Sequence, residues 1–145
     1  RNRINEGMPY VSASAGTNAT CPTMQTTNDM PNCCVDGCDV LGVLPFQINV
    51  HYNDYTEGHG FGGESRALRL CEYLQGNRTF DNGDPSFVLC LREGSMLHVS
   101  GDKAELLGLK SRPSLQLQIL NGKLTRTNIS IGTRVDGLLK QIAFK

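Results

Sequence analysis

The chain has 145 residues, 39% hydrophobic and 6% aromatic with no tryptophan, the size of one ordinary domain spanning 1–145. Fourteen Lys and Arg balance fourteen Asp and Glu, so no net field draws the chain to a polyanion, and neither nucleic acid nor a membrane surface is expected as a partner. The longest stretches free of polar side chains, Val40 to Phe46 and Phe87 to Leu91, fall far short of the roughly 20 residues that span a bilayer, and a soluble chain is expected. It starts at Arg1 with no Met and no apolar leader, which reads as a processed or truncated start.

In chain order, Pro9 to Ala13 reads as a short strand that runs into Ser14-Ala15-Gly16. Thr17 to Cys21 then makes a brief helix that Pro22 stops. After a polar loop, Phe46 to Val50 is a second strand ending at His51. Four glycines between Gly58 and Gly63 mark a loop, and from Glu64 the apolar positions Ala67, Leu70, Cys71 and Leu74 follow the i, i+3, i+4, i+7 stripe of a helix that Gly76-Asn77 stops. Phe87 to Leu91 is a continuous apolar run, as expected of a strand buried on both faces, with Glu93-Gly94 just past its end. Met96 to Val99 and Ala104 to Leu107 read as two more strands. Ser114 to Leu120 and Lys123 to Ile131 form a hairpin across Asn121-Gly122. The sum is a mixed α/β architecture.

Charge is uneven along the chain. Residues 1–100 hold six basic against eleven acidic side chains and residues 101–145 hold eight against three, which reads as an internal complement rather than a polyanion site. Six cysteines at 21, 33, 34, 38, 71 and 90 include no C-x-x-C pair, and with three histidines they fit no zinc spacing, so no metal is expected. Cys33, Cys34 and Cys38 read as a local disulfide staple. Asn-x-Ser/Thr sequons stand at Asn18, Asn77 and Asn128. Cysteines and sequons together favour a secreted, extracellular protein, with a cytoplasmic one as the alternative. Glycans are expected at Asn77 and Asn128 in preference to Asn18, which falls on the helix behind Ser14.

Three side chains of serine-hydrolase type fall at expected strand ends. Ser14 sits among small residues in Ser12-Ala13-Ser14-Ala15-Gly16, His51 follows 37 residues later, and Glu93 ends the buried strand. A serine hydroxyl is a poor nucleophile until an imidazole accepts its proton, and a carboxylate must orient that imidazole and stabilise its cation. Asp29, in the loop between Ser14 and His51, is a second candidate carboxylate.

The segments Ser14-Ala15-Gly16-Thr17-Asn18, Thr26-Thr27-Asn28-Asp29-Met30-Pro31, Leu44-Pro45-Phe46-Gln47-Ile48-Asn49-x-His51-Tyr52, Glu57-Gly58-His59 and Gly63-Glu64-Ser65-Arg66 stand in the order and near the spacing of the peptidase E family, the α-aspartyl dipeptidases. The resemblance runs from Pro9 to Val99. It implies a three-layer α/β sheet of class I glutamine-amidotransferase-like, flavodoxin/Rossmann-like character, of which this chain is the carboxyl-terminal portion and which is incomplete without an amino-terminal half. It further implies Ser14 as nucleophile, His51 as general base, Glu93 in a Leu-x-Glu-Gly turn as the orienting carboxylate, and Asp29 as an essential neighbour. Arg66 would grip the substrate's aspartyl carboxylate and Glu64 would hold its free amino terminus, with no cofactor. The implied substrate is an Asp-Xaa dipeptide. The alternative is a secreted, glycosylated structural or assembly protein that keeps the fold without using the activity. A strand left at an open edge by the absent half would need a second chain, or another copy giving a dimer or filament, to cover it.

Overall fold

A computed structural model describes residues 1–28, 38–54, 65–76 and 86–140. Its elements are α1 (Asn2–Asn5), α2 (Ala15–Asn18), β1 (Gln47–Asn49), α3 (Arg66–Gly76), β2 (Phe87–Cys90), β3 (Ser95–Ser100), β4 (Lys103–Gly108), β5 (Ser114–Leu120) and β6 (Lys123–Ile129), followed by a 3-10 helix at Asp136–Lys140. The apolar run at β2 organises the molecule. All four of its residues are buried, and because side chains alternate along a strand they feed two different cores. Phe87 and Leu89 join Phe46, Ile48, Ala104, Leu106 and Val135 on one face. Val88 and Cys90 join Leu70, Tyr73, Leu74, Leu115, Leu117 and Tyr52 on the other.

Strand order in the main sheet is β1-β2-β5-β6. β1 runs parallel to β2, while β5 and β6 are antiparallel additions, so the sheet is mixed. The amphipathic stripe of α3 lies on one face. The separate β3–β4 hairpin and the 3-10 helix cover the other among the described residues. Asp136 anchors that cover, accepting a hydrogen bond from the Ala104 amide at 2.7 Å. The Asn121-Gly122 turn has positive φ at both residues, +51° and +74°, which is the hairpin geometry its residues favour. No helix among the described residues is long and apolar enough to cross a membrane.

One expected strand does not form. Residues 9–13 have no strand pairing, and Met8, Tyr10 and Val11 stand exposed, Val11 at 96%. The reason lies at the outer edge of β1, where a neighbouring strand would bond. That edge is already satisfied by side chains. The Ile48 amide donates to the Cys21 thiol at 3.2 Å, Asn18 and Thr26 donate to the Ile48 carbonyl at 2.7 and 2.8 Å, and Asn28 donates to the Val50 carbonyl at 3.0 Å. A buried backbone group needs a partner, and a side chain serves as well as a strand. The expected open edge is therefore replaced by an exposed apolar stretch leading into Ser14.

The staple expected at Cys33, Cys34 and Cys38 falls largely beyond the described residues, among which Cys21, Cys71 and Cys90 are free thiols. Cys33 and Cys34 lie outside them. Burial pushes the Cys21 thiol up to about 12 and the Cys90 thiol higher still, so both stay protonated at neutral pH.

Candidate active site

Ser14 stands at the N-cap of α2 with φ +51° and ψ −131°, a conformation that costs a non-glycine residue about 1–3 kcal/mol. The turn is closed by Gly16 N to the Ala13 carbonyl at 3.0 Å and Thr17 N to the Ser14 carbonyl at 2.9 Å. A Cβ on Gly16 would meet the Cβ of Ser12 at 3.4 Å, an ordinary van der Waals contact. Ser12 fits without clash, its hydroxyl 3.4 Å from that of Thr17.

His51 ends the β1 segment, also at positive φ, +55°. Only three non-glycine residues among those described have positive φ; one is the hairpin's Asn121, and the other two are Ser14 and His51. Strain of this kind persists only where the surroundings enforce it, and here it turns both side chains toward each other. Parallel pairing with the β2 segment continues past His51, through Leu91 N to the Asn49 carbonyl at 2.8 Å and Tyr52 N to the Leu91 carbonyl at 3.0 Å. That pairing brings the residue after Arg92 alongside His51.

The three side chains meet. His51 Nε2 lies 3.0 Å from Ser14 Oγ, and His51 Nδ1 lies 2.5 Å from Glu93 Oε1. A carboxylate can only accept, so this pairing assigns the ring proton to Nδ1 and leaves Nε2 to accept from the serine hydroxyl. His51 is 43% and Glu93 66% exposed in their side chains, so the relay opens to solvent and to whatever binds there.

Glu93 is held by a close approach of two glycines. Gly94 has φ +79°, its carbonyl accepts from Leu109 N at 3.0 Å, and a Cβ on Gly108 would lie 2.1 Å from that carbonyl oxygen. An open cleft of about 810 Å³ borders the relay, lined by His51, Glu93, Arg66, Arg92, Arg112 and Asn128 among others. Ser14 is not among the residues that line it.

Of the other residues singled out in the sequence, Arg66 begins α3 and lines the cleft. Asp29, Glu64 and Asn77 fall outside the described residues. Asn128 is exposed on β6 at the cleft wall. Asn18 is fully buried, its amide committed to the Ile48 carbonyl, in line with the expectation that no glycan fits there.

Sequence reasoning missed three structural roles. The Thr-Thr-Asn run supplies caps for β1, Arg92 ties loops together, and Gly108 makes room for the Gly94 carbonyl. Only Gly108, a glycine at the end of an apolar strand, carried a local signal.

A strand end, a strained serine before a helix, a histidine and a carboxylate form the hydrogen-bonded set used by serine hydrolases. A family-wide sequence model, "Peptidase family S51", matches residues 1–107, and this chain belongs to that family. It is 48% identical over 105 residues to "Peptidase E" of Streptomyces coelicolor, covering 72% of this chain and 40% of the relative. It is 39% identical over 139 residues to "Peptidase E" of Shewanella amazonensis, covering 96% and 54%. It is 43% identical over 105 residues to "Probable alpha-aspartyl dipeptidase" of Drosophila melanogaster, covering 72% and 41%. The chain thus spans about half the length of the curated relatives it matches.

Proposed function

We propose that this chain carries the nucleophile, base and orienting carboxylate of a serine-type dipeptidase acting on dipeptides with amino-terminal aspartate. The observation that supports it most is the continuous relay from Ser14 through His51 to Glu93. In the forward step Ser14 Oγ attacks the peptide carbonyl carbon while its proton passes to His51 Nε2. The protonated ring, held by Glu93, then gives that proton to the departing amine as the C–N bond breaks. Water attacks the resulting ester with His51 again taking the proton, and the acid and free serine are released. The amine leaves beside the histidine that protonates it.

Arg66 is assigned the aspartyl carboxylate, since a guanidinium can grip both oxygens of a carboxylate at once. Glu64 is assigned the substrate's amino terminus and Asp29 a supporting charge beside the base. The reading includes a three-layer, class I glutamine-amidotransferase-like sheet completed by an amino-terminal half. The proposal includes a second bound chain, or another copy of this one, covering the exposed surface around Met8, Tyr10 and Val11.

The alternative, a secreted and glycosylated assembly protein, draws on the sequon at Asn128. A glycan on that cleft wall would obstruct the site, so glycopeptide mapping separates the readings: occupancy at Asn128 favours the alternative and a secreted location. For the enzyme, a fluorophosphonate should label Ser14 in the wild-type chain and in no His51→Ala variant. Equal labelling of both would remove the case for catalysis.

A further inference from the structure

We propose that Arg92 is a positioning residue, a clasp that holds the histidine and carboxylate segments of the relay in register. Its neighbours come from two other walls of the cleft. Nη2 donates to Asp54 Oδ2 at 2.5 Å, three residues after His51. Nη1 donates to the Pro113 carbonyl at 2.6 Å, in the β4–β5 connection whose Ser111 and Arg112 also line the cleft. The guanidinium carbon lies 5.6 Å from the centre of the Tyr52 ring, the residue that follows His51. Arg92 itself directly precedes Glu93. One planar group thus joins the His51–Asp54 segment, the Glu93 turn and the 111–113 loop.

The arrangement suits fastening rather than substrate binding. The Arg92 side chain is 16% exposed, and both terminal nitrogens already donate within the protein. A planar fork can serve two acceptors in fixed directions, whereas an ammonium on a flexible stem cannot. The Asp54 carboxylate is 57% exposed, so the ion pair adds little stability by itself. What it fixes is geometry. Glu93 and His51 are both largely solvent-exposed, so the packing around them does not by itself hold their hydrogen bond, and the segments on which they ride must be held instead.

The labelling arm of the test rests on the serine-hydrolase reading; the spectroscopic arm does not. On the full 145-residue chain, long-range proton–nitrogen NMR gives the tautomer of the His51 ring, its signals assigned with a His51→Gln variant among the three histidines. The wild type should hold the proton at Nδ1. Arg92→Met should let the ring revert to the mixture of free imidazole while the fold, followed by circular dichroism, persists. The same variant should slow fluorophosphonate labelling of Ser14 about 10-fold, the scale expected when a catalytic group is displaced by a fraction of an ångström. Added to Glu93→Gln, Arg92→Met should slow labelling by less than about 2-fold, because coupled residues do not act additively. Arg92→Lys, which keeps the charge and the stem over Tyr52, should fall between, and Asp54→Asn repeats the test if the Met variant does not fold. A folded Arg92→Met or Arg92→Lys chain with the wild-type tautomer, or a wild type lacking the Nδ1 proton, would overturn the clasp. So would full additivity with Glu93→Gln. Should wild-type Ser14 resist labelling altogether, the hydrolase reading fails and the tautomer alone decides the role of Arg92.

Discussion

Gly108→Ala tests whether the Glu93 turn is held by backbone packing. Gly108 has φ +133°, a region essentially reserved for glycine, and the added Cβ would lie 2.1 Å from the Gly94 carbonyl oxygen, 2.8 Å from Ser95 Cα and 3.0 Å from Gly94 C. All three obstacles are backbone, so none can rotate away. Carbon and oxygen need a little over 3 Å, and either β4 or the Glu93-Gly94-Ser95 turn must therefore retreat by about 1 Å. That movement stretches the hydrogen bond from Leu109 N to the Gly94 carbonyl, a loss of about 1 kcal/mol. Forcing alanine to positive φ costs a further 1–3 kcal/mol or so, and overpacking about as much again. The sum is about 3–7 kcal/mol of stability, read as a lower midpoint in urea with an unchanged slope. Because the displaced turn carries Glu93, labelling of Ser14 should slow even in molecules that remain folded. A midpoint within about 0.5 kcal/mol of wild type, with labelling unaffected, would refute the argument that this contact positions the carboxylate.

Asn28→Ala removes the donor to the Val50 carbonyl and one of two acceptors for Asn49 Nδ2, which keeps the Thr26 carbonyl, and should cost about 1–3 kcal/mol, mostly by leaving the Val50 carbonyl short of a donor. Asn28→Asp should be worse at pH 7 than at pH 4 in denaturation midpoints, since an ionised carboxylate cannot donate to a carbonyl. Tyr52→Phe should leave stability unchanged or raise it by up to about 1 kcal/mol, because the Tyr52 hydroxyl is buried with no hydrogen-bond partner among the described residues; a loss above that in thermal melts would show a partner exists. Stability should fall as pH rises from 9 toward 12, where unfolded thiols ionise at their ordinary 9.0 but Cys21 is held neutral up to about 12, so the folded state binds the extra proton. Urea midpoints for Cys90→Val should fall less steeply over that range than those of the wild type, burial also raising the Cys90 thiol.

Elements whose residues carry their own periodicity were legible in the sequence. The stripe Ala67, Leu70, Cys71, Leu74 gave α3, the Phe87 run gave a strand buried on both faces, and Asn121-Gly122 gave the hairpin within two residues of its ends. Such elements are specified locally, by which face must be dry or which residue tolerates positive φ. The Pro9 to Ala13 strand failed for a non-local reason. Whether an apolar pentapeptide pairs depends on a free edge, and here Asn18, Cys21, Thr26 and Asn28 occupy it. Polar side chains acting as a substitute strand have no period, so nothing in the sequence pattern distinguishes them from a solvated loop.

The site divides along the same line. Ser14, His51 and Glu93 could be picked out as candidates because chemistry restricts the residue types and, for His51 and Glu93, strand ends restrict where they fall. What brings them within hydrogen-bond reach could not, because it is made of backbone strain and its restraints. Ser14 and His51 both pay for positive φ, and each is flanked by contacts that keep it there: Asn28 on the carbonyl before His51, the turn bonds of Ala13 and Ser14 around the nucleophile, the Gly94–Gly108 contact behind Glu93. These restraints come from α2 and the loop after it, from β1, from the β2–β3 turn and from β4. A relay assembled this way is only as precise as the least secure of its segments, and the segments of His51 and Glu93, whose side chains stand exposed, are two that Arg92 joins. The residue most informative about how this site works is therefore one that no pattern of catalytic residue types would select.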